Sequence, residues 1–152
     1  MRIDKRLQLA KHALYRTLGK LGSKKEFFIY FYHSASLPME GEPLPATQDN
    51  IASIKPWANA IPAAGGTDPR GALREAFGKK KPDTIWLMTD GIVKVGNDLP
   101  VRRLIADLNK DKKVRVNTVG FRRKPEDMDK SLAPIASEND GSFEFIKSNL
   151  DE

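Results

Sequence analysis

The stretch "DTIWLMTDG" (residues 83–91) decides how the chain folds. Four apolar residues, Ile85 to Met88, stand between two threonines, and the run ends in Asp90 and Gly91. A short apolar run bounded by turn residues is too brief for a helix and reads as a strand. Its end is polar, so this strand delivers a threonine and a carboxylate to one edge of a sheet.

Outward in both directions the pattern alternates. Upstream, "GGTDPRGALREAF" (65–77) reads as a polar turn opening a helix. Asp68 suits the cap, Pro69 the first turn, and Ala72, Leu73, Ala76 and Phe77 the inner face. Downstream, Val101, Leu104, Ile105 and Leu108 share one face of a helix over 98–109. "KVRVNTVGF" (113–121) reads as a further strand, 125–139 as a helix with a possible kink at Pro134, and "SFEFIKS" (142–148) as the last strand.

In the first part of the chain, Leu7, Ala10, Leu14, Leu18 and Leu21 recur at spacings of three and four, giving a helix over 4–21 that stops at Gly22. "EFFIYFYHS" (26–34) is dense in aromatic and β-branched residues and reads as a strand buried on both faces, as in a parallel sheet. Residues 37–48 hold three prolines and a glycine and read as a loop. A helix follows over 49–60, with Asp49 as its expected N-cap and Pro56 inside it. Strands alternating with helices predict one α/β domain over 1–152, a three-layer sandwich around a mostly parallel sheet.

Composition narrows the function. The 152 residues suit one compact core, and the absence of cysteine excludes disulfides and thiolate metal sites. No run approaches the roughly 18 apolar residues of a membrane span, and no signal peptide is legible, so a soluble, cytoplasmic protein is expected. The net charge is +6 and the pI about 9.5. Lysines cluster in "SKKEF" (23–27), "GKKKPD" (78–83) and "NKDKKVR" (109–115), each just before a strand and so at the amino edge of the sheet. None of these clusters is interleaved with exposed aromatics for base stacking, which argues against nucleic acid. "FRRKPED" (121–127) instead follows a strand, and Arg122, Arg123 and Lys124 there suit acidic partner groups.

In parallel α/β sheets, ligands bind beyond the carboxyl ends of the strands. "YHSAS", "GGTD" and "MTDG" would gather there, offering hydroxyl and carboxylate oxygens of the kind magnesium or manganese accepts. "GGTD" and its helix, followed by "DTIWLMTDG", resemble the von Willebrand factor type A (vWA) domain over nearly the whole chain. "LAKHALYRTLGKL" looks like that family's first helix, and "LAPIASENDGSFEFI" like its last helix and strand. The resemblance implies a doubly wound, Rossmann-like sheet with a metal-ion-dependent adhesion site (MIDAS) at its carboxyl edge. Thr67 matches the threonine of that site and Asp90 its T-D-G aspartate; Asp68 and Ser34 are lesser rim candidates.

The family's D-x-S-x-S segment does not occur, and no apolar strand precedes the first helix. Met1 stands near where a methionine follows that motif, so the sequence reads as truncated, through an internal start or a wrongly assigned one. Without the motif's three oxygens, Thr67 and Asp90 cannot supply the six that magnesium prefers. The expectation is a degenerate site: no cofactor, unless Mg²⁺ or Mn²⁺ is completed by another chain. Loss of a central strand would expose two sheet edges, between 26–32 and 84–89, which makes a homodimer by strand exchange or domain swap accessible.

No catalytic residues are legible. Ser34 and Ser36 lie near His33, but no G-x-S-x-G turn, phosphate loop or dinucleotide motif is present. The sequence therefore predicts a non-enzymatic protein-interaction module for a partner with an acidic residue, with Ser34, Thr67, Asp68, Asp90, Arg122 and Arg123 as its contact residues. The alternative is a binder of nucleic acid or polyanions through the lysine-rich amino edge.

Overall fold

The computed structural model describes residues 3–62, 68–89, 99–121 and 125–147. They fall into two compact units, Met1–Ala72 and Leu73–Glu152.

In the first unit, α1 (Ile3–Leu21) ends at Gly22, whose φ of 81° is the left-handed conformation that stops helices. The aromatic run that follows is not one parallel strand. It forms β1 (Glu26–Phe27) and β2 (Tyr30–Tyr32), which pair antiparallel with β4 (Leu44–Pro45) and β3 (Ser36–Pro38). The segment expected as a loop is thus the return arm of a hairpin. Tyr32 faces Ser36, Tyr30 faces Pro38, and Met39 N–H bonds to Ile29 C=O at 2.9 Å. Beyond Met39 the register slips, because "EGEP" (40–43) bulges out before Leu44 meets Phe27, with Gly41 at a φ of 82°.

Burial in this hairpin alternates instead of covering both faces. Phe27 and Ile29 are buried in one cluster with Leu18 of α1 and with Ile54 and Ala58 of α2 (Gln48–Ala60). Phe31 joins the same side, edge-on to Trp57 with ring centroids 5.4 Å apart. The other side carries Phe28, Tyr30 and Tyr32, half-buried, with the first two rings 5.0 Å apart. The N-cap of α2 is Thr47, not Asp49: Thr47 Oγ1 accepts Asn50 N–H at 3.2 Å. Asp49 sits in the first turn, where its charge complements the helix dipole. Pro56 is accommodated without ending the helix.

The second unit is a parallel three-stranded sheet in the order β5 (Thr84–Thr89), β6 (Arg115–Gly120), β7 (Phe143–Phe145). It is reached through α3 (Arg70–Glu75) and a π-helical turn, Ala76–Lys80, closed by Lys81 at a φ of 45°. The crossovers carry α4 (Leu99–Leu108) and α5 (Pro125–Glu138). Leu87, Ile105, Val116, Phe121, Leu132 and Ile135 form buried core.

Two asparagines fasten the helix ends to this sheet. Asn109, fully buried just past α4, donates to Val114 C=O at 2.7 Å and to Asn139 Oδ1 at 2.9 Å, and accepts Val114 N–H at 3.1 Å. Asn139, just past α5, donates to Ile135 C=O at 2.7 Å. Buried amides must be paired, and these pairs fix where each helix stops. Thr118 Oγ1 donates to Leu132 C=O at 3.0 Å and holds α5 against the sheet.

Candidate functional site

The hairpin tip is a three-residue turn, His33–Ser34–Ala35, closed by His33 N–H to Ala35 C=O at 3.1 Å. The His33 ring locks it. Nδ1 accepts the N–H of Ser34 at 2.7 Å and of Ala35 at 3.2 Å, so its proton sits on Nε2. Ser34 Oγ lies 3.0 Å from the same nitrogen. Because that lone pair already serves two backbone donors, Nδ1 is not poised to take a proton from the Ser34 hydroxyl.

Asp68 meets this turn through the main chain: its N–H donates to His33 C=O at 2.9 Å. Of the polar stretches singled out in the sequence, Asp68 is therefore brought to the tip that carries His33 and Ser34. Asp68 caps α3 as expected, its Oδ1 accepting Arg70 N–H at 3.1 Å. The carboxylate also receives Arg70 Nε and Nη2, each at 2.8 Å, in a bidentate fork. This contact with Asp68 raises the Arg70 pKa further above its ordinary value. Thr67, Asp90, Arg122 and Arg123 lie outside the described residues, as does Lys124.

The described donors do not fit a divalent cation. Asp68 is neutralised by Arg70, and a hydroxyl at Ser34 is one weak oxygen against the six that magnesium prefers. Among the described residues, no three histidine, aspartate or glutamate side chains form a group that could hold a metal ion.

A second surface lies at the amino edge of the parallel sheet. Arg115 N–H donates to Asp83 C=O at 2.9 Å, which ties the segment that follows Lys79, Lys80 and Lys81 to the one that follows Lys110, Lys112 and Lys113. Two of these lysines form exposed ion pairs, Lys79 with Glu75 and Lys113 with Asp111, both at 3.7 Å. Lys112 Nζ instead reaches Glu138 C=O at 2.9 Å, a cation over the last turn of α5. Nothing in the lysine clusters themselves points to an aromatic, yet Trp86, two residues into β5, is the exposed large hydrophobic residue of the described chain. Period-two alternation would have placed it opposite the buried Leu87, had its strand been read as half-exposed.

No protein-family model matches the chain. Over 98 residues it is 26% identical to von Willebrand factor A domain-containing protein 3B of Homo sapiens, a match covering 64% of this chain and 7% of that protein's length. The fold is similar to that of the conserved hypothetical protein BatB from Bacteroides thetaiotaomicron, with a TM-score of 0.65 at 16% identity, covering 94% of this chain and 80% of that one. It is similar also to an aerotolerance-related membrane protein from Bacteroides fragilis, with a TM-score of 0.64 at 18% identity, covering 94% and 81%. Proximal thread matrix protein 1 from the mussel byssus gives 0.65 at 17%, covering 95% of this chain and 37% of that one. The fold is thus α/β and vWA-like, while the chain spans only a small part of its human relative.

Proposed function

We propose that the chain is a non-enzymatic protein-interaction module of vWA type, with its site where Asp68 meets the His33–Ala35 turn. The observation that carries this reading is the His33 C=O to Asp68 N–H bond at 2.9 Å, which ties Asp68 to the hairpin tip. The similarity to a vWA domain-containing protein supports the class. In the same reading the fold is the three-layer sandwich without its first central strand, and Thr67 and Asp90 are leftovers of a degenerate MIDAS. The partner presents an acidic residue, which Arg70, Arg122 and Arg123 suit by charge. Binding is metal-independent, unless a second copy of the chain completes the ligand set for Mg²⁺ or Mn²⁺.

The test is a titration of an acidic-peptide library against the full chain, in EDTA and then in Mg²⁺ or Mn²⁺, with oligomeric state fixed by light scattering. Binding that persists in EDTA and survives Thr67→Ala with Asp90→Ala supports the reading. Binding that requires the metal and is abolished by that double change overturns the degenerate-site reading. Absence of acidic-peptide binding in either condition overturns the partner assignment.

A further inference from the structure

One face of the parallel sheet in the second unit is built unlike the other. In the β5–β6 register Thr84 is level with Arg115, Trp86 with Asn117 and Met88 with Val119. Side chains at paired positions share a face, so these six lie on one side, and Ile85, Leu87, Val116 and Thr118 on the other. The second side is the one α5 covers, through the Thr118 to Leu132 bond. On the first side Trp86 is 37% exposed, Arg115 is exposed, and Thr84 and Asn117 are half-buried.

Its polar groups are set in place. Asn117 Oδ1 accepts Ser142 N–H at 2.9 Å and Ser142 Oγ at 3.4 Å, which orients the amide and leaves its NH₂ for an outside acceptor. At the amino end the face runs into the lysine rim, where Lys81 and Lys110 are exposed. Asp83 and Asp111 interrupt that rim, and Glu144, level with Val119, lies on the same face toward the carboxyl end.

We infer that this face binds single-stranded nucleic acid, with a base stacked on Trp86, the Asn117 amide donating to a base acceptor, and phosphates on Arg115, Lys81 and Lys110. The combination of an indole on a sheet surface, an oriented amide and a cationic border is what a flexible polyanion with planar bases requires. An acidic protein would be served by the lysines but would make no use of the stacking face. Val119 is buried and Met88 half-buried, so the open part of the face is its amino half. The residues invoked here are not those named under Proposed function, so either assignment can fail without the other.

The experiment is fluorescence anisotropy of a labelled oligo(dT) or oligo(U), which cannot pair with itself, against the full chain at low salt. Trp86→Ala is expected to weaken binding about 10- to 100-fold, the cost of one lost base stack, while Trp86→Phe keeps most of the affinity. Lys81→Ala and Arg115→Ala should each lower the slope of log affinity against log salt by about 1. Circular dichroism on each variant confirms that these surface changes leave the fold intact. No binding at low salt overturns the inference, and so does binding indifferent to Trp86. Heparin or polyglutamate bound as tightly as the oligonucleotide, with the same dependence on Trp86, overturns it too.

Discussion

Replacing Gly141 by alanine should be among the most damaging single methyl additions in this chain. Gly141 follows Asp140, which takes the left-handed conformation at a φ of 54°, in the short connection from α5 to β7. A Cβ there would stand 1.8 Å from Val116 O and 2.4 Å from Val116 C, both backbone atoms of the central strand β6. Reaching an ordinary carbon contact of roughly 3.5 Å requires roughly 1.7 Å of movement. Backbone cannot yield like the end of a lysine, so the connection must lift off the strand. That movement breaks Val116 N–H to Asn139 C=O at 3.1 Å, Gly141 N–H to Ala136 C=O at 2.9 Å, and Ser142 N–H to Asn117 Oδ1 at 2.9 Å. At about 1 kcal/mol net for each bond, the loss is about 3 kcal/mol. For a chain of this length that lowers the melting temperature by roughly 6–12 °C. Thermal unfolding by circular dichroism, with urea titration for the free energy, measures it. A Gly141→Ala midpoint within about 2 °C of the parent would refute the close-approach argument.

Two smaller effects rest on other contacts. Thr47→Ala removes the acceptor for Asn50 N–H and should cost about 1 kcal/mol in urea unfolding, whereas Asp49→Ala should cost less than half of that; equal losses would restore Asp49 as the cap. Arg102 Nε lies 2.9 Å from Glu138 Oε2, and this hydrogen bond, chiefly, holds the Glu138 carboxyl below its ordinary pKa of 4.5. A depressed carboxylate stabilises the fold above its unfolded pKa and loses that contribution as pH falls through the folded value. Arg102→Met should therefore be less stable than the parent at pH 7, by no more than about 1 kcal/mol for so exposed a pair, and the gap should close in acid below the ordinary carboxylate range. A gap unchanged across that range would mean that Arg102 acts through packing alone.

The second unit was legible because its strands are short apolar runs framed by lysine, proline and glycine, and each strand is separated by a helix of clear 3.6-residue period. Register adds what periodicity cannot: which residues of β5 and β6 stand level, and hence that Trp86, Arg115 and Asn117 share a face. The hairpin was misread for a physical reason. Its outward side carries Phe28, Tyr30 and Tyr32, so the alternation of burial leaves no alternation of polarity. Its return arm carries Pro38 and Pro45, which suggested a loop, although proline is tolerated on edge strands where its missing N–H breaks no ladder. The candidate site was half legible. Asp68 as a cap could be read from its place before Pro69, but its tie to His33 is a main-chain bond and has no side-chain signature.

The electrostatics of that tie bear on whether the junction suits a cation or an anion. Asp68 is the carboxylate described there, and its oxygens accept from Arg70 Nε, Nη2 and main-chain N–H. An incoming divalent cation would have to displace the guanidinium and would meet its positive charge at close range, while magnesium also gives up hydration water reluctantly. An incoming carboxylate faces the reverse balance, since it can share or exchange the Arg70 fork with Asp68 and keep an ion pair throughout. Half of each side chain's surface is already in water or nearly so, at 46% for Arg70 and 43% for Asp68, so that exchange carries little desolvation penalty. The charge arrangement of the described residues thus favours an acidic group from a partner over a metal ion bridging to it, and it does so with residues that lie outside the family's own ligand pattern.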